Sequence, residues 1–144
     1  MFALFSGMAE HQLDDKNRIR IPAKFRKDLV GVLGDQTYSF ARGKNGCIYV
    51  LPYEVLQETL EKLSNEKMGD SSPISLLFMS SVHQAEEDSQ GRVVLPAFLR
   101  QLAGITKDVI TVGRGKRLEI WDPVRYQKYV ENIDYDTAFS ELGI

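Results

Sequence analysis

At 144 residues, with 43% hydrophobic and 26% charged residues, the chain suffices for one ordinary domain or two very small ones and is too apolar for extended disorder. Its single cysteine, Cys47, excludes an intrachain disulfide and a two-cysteine metal site, and neither a metal nor a cofactor is expected. A net charge of −2 argues mildly against nucleic acid, but binding depends on where charge is concentrated rather than on its sum.

Taken in chain order, the opening Met1-Phe2-Ala3-Leu4-Phe5 lacks the basic residues of a secretory leader. Residues 5–13 read as a strand. Asp14 to Arg18 reads as a turn, with Asn17 where a positive φ is cheap and Asp14 able to bond the turn's own amides. Residues 18–21 return as a strand, and Pro22 then opens a short helix whose buried face is Phe25 and Leu29. Strands at 36–41 and 46–51 follow, joined through Gly43-Lys44-Asn45-Gly46, and a helix over 53–65 closes the set. The polar segment 64–72 reads as a linker, and Pro73 to Met79 as a helical turn or two. The apolar stretch from Ile74 to Val82 is interrupted by serines and falls short of the ~20 residues a bilayer needs, so a soluble cytoplasmic protein is expected.

The same order then recurs. Shifted by 74 positions without gaps, Asp14 falls on Asp88, Arg18 on Arg92, Pro22 on Pro96, Ala23 on Ala97 and Arg26 on Arg100. Asn17 pairs with Gly91, Ile19 with Val93 and Ile21 with Leu95. The second copy therefore predicts strands at 79–87, 92–95, 108–112 and 117–121. It also predicts a turn through Asp88 and Gly91, a hairpin tip at Gly113-Arg114-Gly115-Lys116, and a helix over 123–132. The expected divisions are a first repeat over 5–52, helix and linker over 53–78, a second repeat over 79–123, and a terminal helix and tail over 124–144. Four short strands and a small helix cannot bury both faces of their hairpins alone, so the two copies should pack on each other or on further subunits.

The chemistry-bearing residues are basic. Lys16, Arg18, Arg20, Lys24, Arg26 and Lys27 lie within twelve residues. Arg18 and Arg20 alternate along one strand and so share a face. The hairpin tips add Arg42, Lys44, Arg114, Lys116 and Arg117. Guanidinium groups so placed fit phosphate and guanine edges. A solvated charged face is the alternative, and the repeated spacing of Arg18/Arg92 and Arg26/Arg100 favours binding. Asp14 and Asp88 read as turn caps that orient the arginine four residues on, and no catalytic residue is expected. His11 and His83 lack a supporting ligand cluster, and Cys47 reads as core.

The segment Asp14-Asp15-Lys16-Asn17-Arg18-Ile19-Arg20-Ile21-Pro22-Ala23-Lys24-Phe25-Arg26 resembles the signature of AbrB-type swapped-hairpin DNA-binding domains. Two such segments in a chain of this length resemble the MraZ family of transcriptional regulators. The resemblance implies a β-rich α+β fold: a duplicated AbrB-like swapped-hairpin, double-ψ-like barrel with flanking helices. It implies a ring-like homo-oligomer that binds double-stranded DNA at repeated boxes ahead of the division and cell-wall gene cluster. There it would act as a regulator, commonly a repressor, associated with the nucleoid. Carried over by position, Arg18 is the foremost DNA contact and Arg92 its counterpart, with Arg20, Lys24, Arg26, Arg100 and Lys16 beside them. Asp14, Asn17, Asp88 and Gly91 would form the turns. The chain departs from the pattern at Asn17, where glycine is usual, and at Val94 and Phe98, which replace the equivalents of Arg20 and Lys24. The first repeat is therefore expected to dominate phosphate contact and the second to serve assembly. An interaction scaffold, a small hydrolase using Asp14 and Asp88, and an antitoxin with the same barrel are the rival readings.

Overall fold

The computed structural model describes residues 4–30, 37–65 and 72–144. Most of the expected linker, together with Met1, Phe2, Ala3 and Gln36, lies outside the described residues. In chain order the first repeat contains β1 (Met8–Gln12), β2 (Arg18–Arg20), α1 (Ala23–Val30), β3 (Ser39–Arg42), β4 (Ile48–Leu51) and α2 (Tyr53–Asn65). The second contains α3 (Pro73–Met79), β5 (His83–Gln84), β6 (Arg92–Val94), α4 (Ala97–Ala103), β7 (Asp108–Arg114), β8 (Arg117–Trp121), α5 (Pro123–Val130) and α6 (Tyr135–Glu141). This is a β-rich α+β chain.

Its strands pair across the repeats. Six form one antiparallel sheet in the order β1-β7-β8-β4-β3-β5, and β2 and β6 form a separate two-stranded ribbon. The first strand of each repeat is thus added to the hairpin of the other: β1 lies on β7, and β5 on β3. Two pairings mark an approximate two-fold axis. Ile19 opposes Val93 at the centre of the ribbon, and Tyr49 opposes Glu119 at the centre of the β4–β8 pair. Hydrogen bonding among the described residues records these two sheets rather than one closed barrel.

Both repeats contribute to a single main core. Ile19, Ile21, Phe25, Leu29, Tyr38 and Phe40 pack with Val93, Leu95, Leu99, Val109, Leu118 and Ile120. Each large apolar side chain so buried contributes about 1.5–3 kcal/mol, and neither half could gather the sum over this shared core alone. A smaller cluster at the far end stacks Trp121 edge-on against Tyr126 at 5.8 Å and seats α5 on β7 and β8.

Several boundaries differ from the sequence reading. The strand expected over 79–87 is only His83–Gln84, because Ser72 caps Ser75 and Pro73 occupies the first turn of a helix reaching Met79. The strand expected over 5–13 is Met8–Gln12, with Phe5 bridged separately to Gly115. Gly113 permits that crossing: a Cβ there would collide with the backbone of Phe5 and Ser6. β7 runs on through Gly113 and Arg114, which narrows the hairpin tip to Gly115 and Lys116. Pro96 stands at the N-cap of α4 rather than inside it, and its carbonyl accepts the Arg100 amide. The Pro22 carbonyl likewise accepts the amides of Phe25 and Arg26. Within the span expected to be tail, Asp134 caps Thr137 and opens α6.

Candidate nucleic-acid interface

The ribbon begins in two equivalent turns. In the first, the Asp14 carbonyl accepts the Asn17 amide at 3.0 Å, and the Asp14 amide donates to the Arg18 carbonyl at 3.0 Å. The Asp14 carboxylate bridges the turn: Oδ1 accepts the amides of Lys16 and Arg18, each at 2.9 Å, and Oδ2 accepts Arg18 Nε at 2.7 Å. The second turn repeats this atom for atom. Asp88 Oδ1 accepts the amides of Gln90 and Arg92, and Oδ2 accepts Arg92 Nε at 2.9 Å. The turn residue has a positive φ in both, 58° at Asn17 and 76° at Gly91, a region that asparagine and glycine occupy most readily.

These bonds keep the carboxylates ionised. Burial pushes the Asp14 carboxyl up, but the Arg18 amide, the Arg18 guanidinium and the Lys16 amide outweigh it and leave it below its ordinary value. At Asp88 the Arg92 amide is the largest influence; with the Gln90 amide and the Arg92 guanidinium it brings the carboxyl down to about 2. A general acid needs the opposite shift, so the hydrolase reading finds no support in this pair.

From the turns the chain enters β2 and β6, which pair with Arg18 opposite Val94, Ile19 opposite Val93 and Arg20 opposite Arg92. Ile19 and Val93, 0% and 3% exposed, point into the core. The alternate positions therefore point outward, and Arg18, Arg20, Arg92 and Val94 share one face. The Arg18 and Arg92 side chains remain 21% and 29% accessible, so neither is sealed inside the fold. Each uses Nε on its aspartate, and its other N–H donors make no hydrogen bond among the described residues. Arg18 Nη1 also lies 3.9 Å from Asp88 Oδ2, which links the two turns across the repeats. Arg20 is exposed, with no side-chain ion pair among the described residues.

The remaining basic residues divide. Lys16 is exposed on the first turn. Lys24 is exposed on α1, donates from Nζ to the Met8 carbonyl at 2.7 Å and stands 5.1 Å from the Phe25 ring centre. Arg26 and Arg100, equivalent in sequence, have different partners. Arg26 holds Glu87 through Nε at 3.0 Å and through Nη2, and Glu87 also accepts the Tyr38 hydroxyl at 2.7 Å. Arg100 donates Nε to the Leu95 carbonyl at 3.0 Å. The position 74 before Glu87 is Leu13, a core residue, so the first repeat has no carboxylate to offer Arg100.

Two of the hairpin-tip arginines are committed elsewhere. Arg114 and Arg117 converge on Glu119, a carboxylate 3% exposed that also accepts Trp121 Nε1 at 3.1 Å. The Arg117 guanidinium lies 4.2 Å over the Tyr49 ring. Sequence reading counted these arginines as surface charge and missed Glu119, although a glutamate two residues from an arginine on one strand face was visible. Arg125, also missed, ties α5 to the carbonyls of Gly46 and Leu102 at 3.2 and 2.8 Å. His11 and His83 stand on opposite edge strands of the six-stranded sheet, and among the described residues no group of three or more histidine, cysteine, aspartate or glutamate side chains is placed to hold a metal ion. Cys47 is buried just before β4, where burial and then the Glu119 charge push its thiol up to about 12.

Two kinds of similarity accompany this geometry. A family model described as "MraZ protein, putative antitoxin-like" matches residues 4–70 and 78–141, one segment for each repeat. A protein of Clostridium tetani named "Transcriptional regulator MraZ" is 35% identical over 98% of this chain and 100% of its own length. Proteins of the same name from Clostridium acetobutylicum and Natranaerobius thermophilus are each 37% identical, over 98% and 91% of this chain and 100% and 90% of their own.

Proposed function

Because this chain belongs to the MraZ family, whose relatives carry the name of transcriptional regulators, we propose that it regulates transcription by binding double-stranded DNA through the β2–β6 ribbon. One observation carries the reading: strands from both repeats meet so that Arg18, Arg20 and Arg92 share one accessible face, two of them held in place by ionised aspartates. A two-stranded ribbon fits a major groove, and fixed guanidinium forks suit phosphates and guanine edges. Lys16 and Lys24 flank this face toward phosphate. Arg26 and Arg100 complete it with the donors that Glu87 and Leu95 leave over. The turn residues Asp14, Asn17, Asp88 and Gly91 aim the arginines.

The exchange of β1 and β5 between hairpins, together with the crossed ribbon, supports an AbrB-like swapped-hairpin, double-ψ-like barrel as the fold. Its repeats would span 5–52 and 79–123, with the helix and linker 53–78 between them and the terminal helix and tail 124–144 after them. The protein acts in the cytoplasm on the nucleoid as a ring-like homo-oligomer. It represses from repeated boxes upstream of the division and cell-wall gene cluster. One ribbon per box binds weakly; several boxes held by one assembly gain affinity through effective concentration alone. No helix of the described residues is long and apolar enough to cross a membrane.

The test is a gel-shift titration on DNA from upstream of that cluster, with a scrambled duplex as control. Binding is expected to prefer the upstream duplex, to weaken steeply with salt and to be lost in Arg18→Ala. Equal binding to both duplexes, or an unaffected Arg18→Ala variant, overturns the reading. A scaffold without DNA specificity is the second reading, favoured by the exposed Phe98, Tyr135 and Leu142, and the scrambled control separates the two.

A further inference from the structure

Three corners of the ribbon face are arginines and the fourth is Val94. The register places Val94 opposite Arg18, and Ile19 and Val93 point the other way into the core, so Val94 shares the face of Arg18, Arg20 and Arg92. It is 56% exposed. Its equivalent in the first repeat is Arg20, so the internal symmetry that supplies a guanidinium at each other corner is broken at this one point.

From this we infer that Val94 is a specificity-determining residue that reads the methyl group of one thymine. The inference rests on the proposed DNA reading and deepens it. A ribbon seated in a major groove about 12 Å wide brings all four corners to base edges. Arginine matches the paired acceptors of guanine. Among major-groove features, an isopropyl group matches only the C5-methyl of thymine, and against any other base edge it desolvates polar atoms without replacing their bonds. A fourth arginine would have made the face two-fold symmetric and indifferent to orientation. Val94 gives it a direction, so one chain recognises an asymmetric box. A contact with another copy of the chain is the competing role for an exposed valine, and the test separates the two.

The full-length protein is used to select a duplex box from a random pool. Each thymine in the box is then replaced singly by deoxyuridine, which removes the methyl and leaves every hydrogen-bonding group. Wild type is expected to lose affinity about fourfold at one position, the value of burying one methyl-sized group. At that position Val94→Ala binds the thymine and uracil duplexes equally, whereas Val94→Ile keeps the discrimination. Wild-type indifference to every thymine methyl overturns the assignment, as does discrimination that survives unchanged in Val94→Ala. An altered sedimentation coefficient of Val94→Ala without a change in methyl discrimination also overturns it, in favour of a contact between copies. In all three outcomes DNA is still bound and the proposed function stands. If no duplex is recovered, the DNA reading itself fails and takes this assignment with it.

Discussion

Arg20 and Arg92 stand directly opposite each other across β2 and β6, two cations as cross-strand neighbours on one solvent-facing surface. Like charges so placed destabilise a ribbon by about 0.2–1 kcal/mol unless something else draws them together. Asp88 offsets Arg92, but no carboxylate among the described residues pairs with Arg20. An arrangement unfavourable to the isolated fold is understandable where a polyanion supplies the missing counter-charge. Arg20→Ala should therefore leave thermal stability unchanged or slightly raised while weakening DNA binding. The slope of log affinity against log salt should fall by about 1. Parallel melting curves and salt titrations check both halves of this prediction.

Acid should loosen the turns. The Asp88 carboxyl lies at about 2 in the fold against an ordinary value of 3.8, and Asp14 is also lowered. A depressed folded value means that the unfolded chain takes up the proton first. The stabilising contribution is therefore complete above the ordinary value and is lost as pH falls toward about 2. Urea midpoints followed from pH 5 to pH 2 should drop steeply in the wild type and less in Asp88→Asn, which cannot titrate.

Arg26 should matter more to the fold than to DNA. It anchors Glu87, whose carboxyl it holds below the ordinary value, and Glu87 in turn satisfies the buried Tyr38 hydroxyl. Tyr38→Phe should cost about 1 kcal/mol, and Glu87→Ala, which strands that hydroxyl in the core, about 1–3 kcal/mol. Arg26→Ala should lose stability in the same direction while reducing DNA affinity less than Arg18→Ala. A double-mutant cycle on Arg26 and Glu87 should show coupling between them.

Glu119 is the most consequential buried charge among the described residues. Two guanidinium groups and the Trp121 indole N–H compensate a carboxylate that is otherwise out of water. Glu119→Ala leaves the Trp121 indole N–H buried without its acceptor and two accessible guanidinium groups without their counter-ion, and should cost about 1–3 kcal/mol, read from chemical denaturation. Arg117→Ala should be nearly as damaging, which a surface arginine would not be.

The turn was legible from sequence because it is local: the aspartate, the amides it binds and the arginine it orients lie within five consecutive residues. The repeat was legible because the same local rule appears twice. Strand partners were not. Nothing in the alternation of Met8 to Gln12 says that it joins β7 rather than β3, since a strand's period fixes which face is buried and not which edge it meets. The divergence of Arg26 and Arg100 was hidden for a related reason. It depends on whether Glu87 or Leu13 comes to lie opposite, and both are far away in the chain. Helix α6 was missed because it buries no residue, so it lacks the apolar period by which α1 and α4 announce themselves.

Because each hairpin receives its outer strand from the opposite repeat, the smallest foldable unit is not half of the molecule. A polypeptide ending before Pro73 would keep β1 without β7 and would leave β3 without β5. Its apolar faces could be covered only by a second fragment carrying the missing edges. Severing the gene between the copies should therefore yield two pieces that are individually incompetent and recover the native arrangement when expressed together.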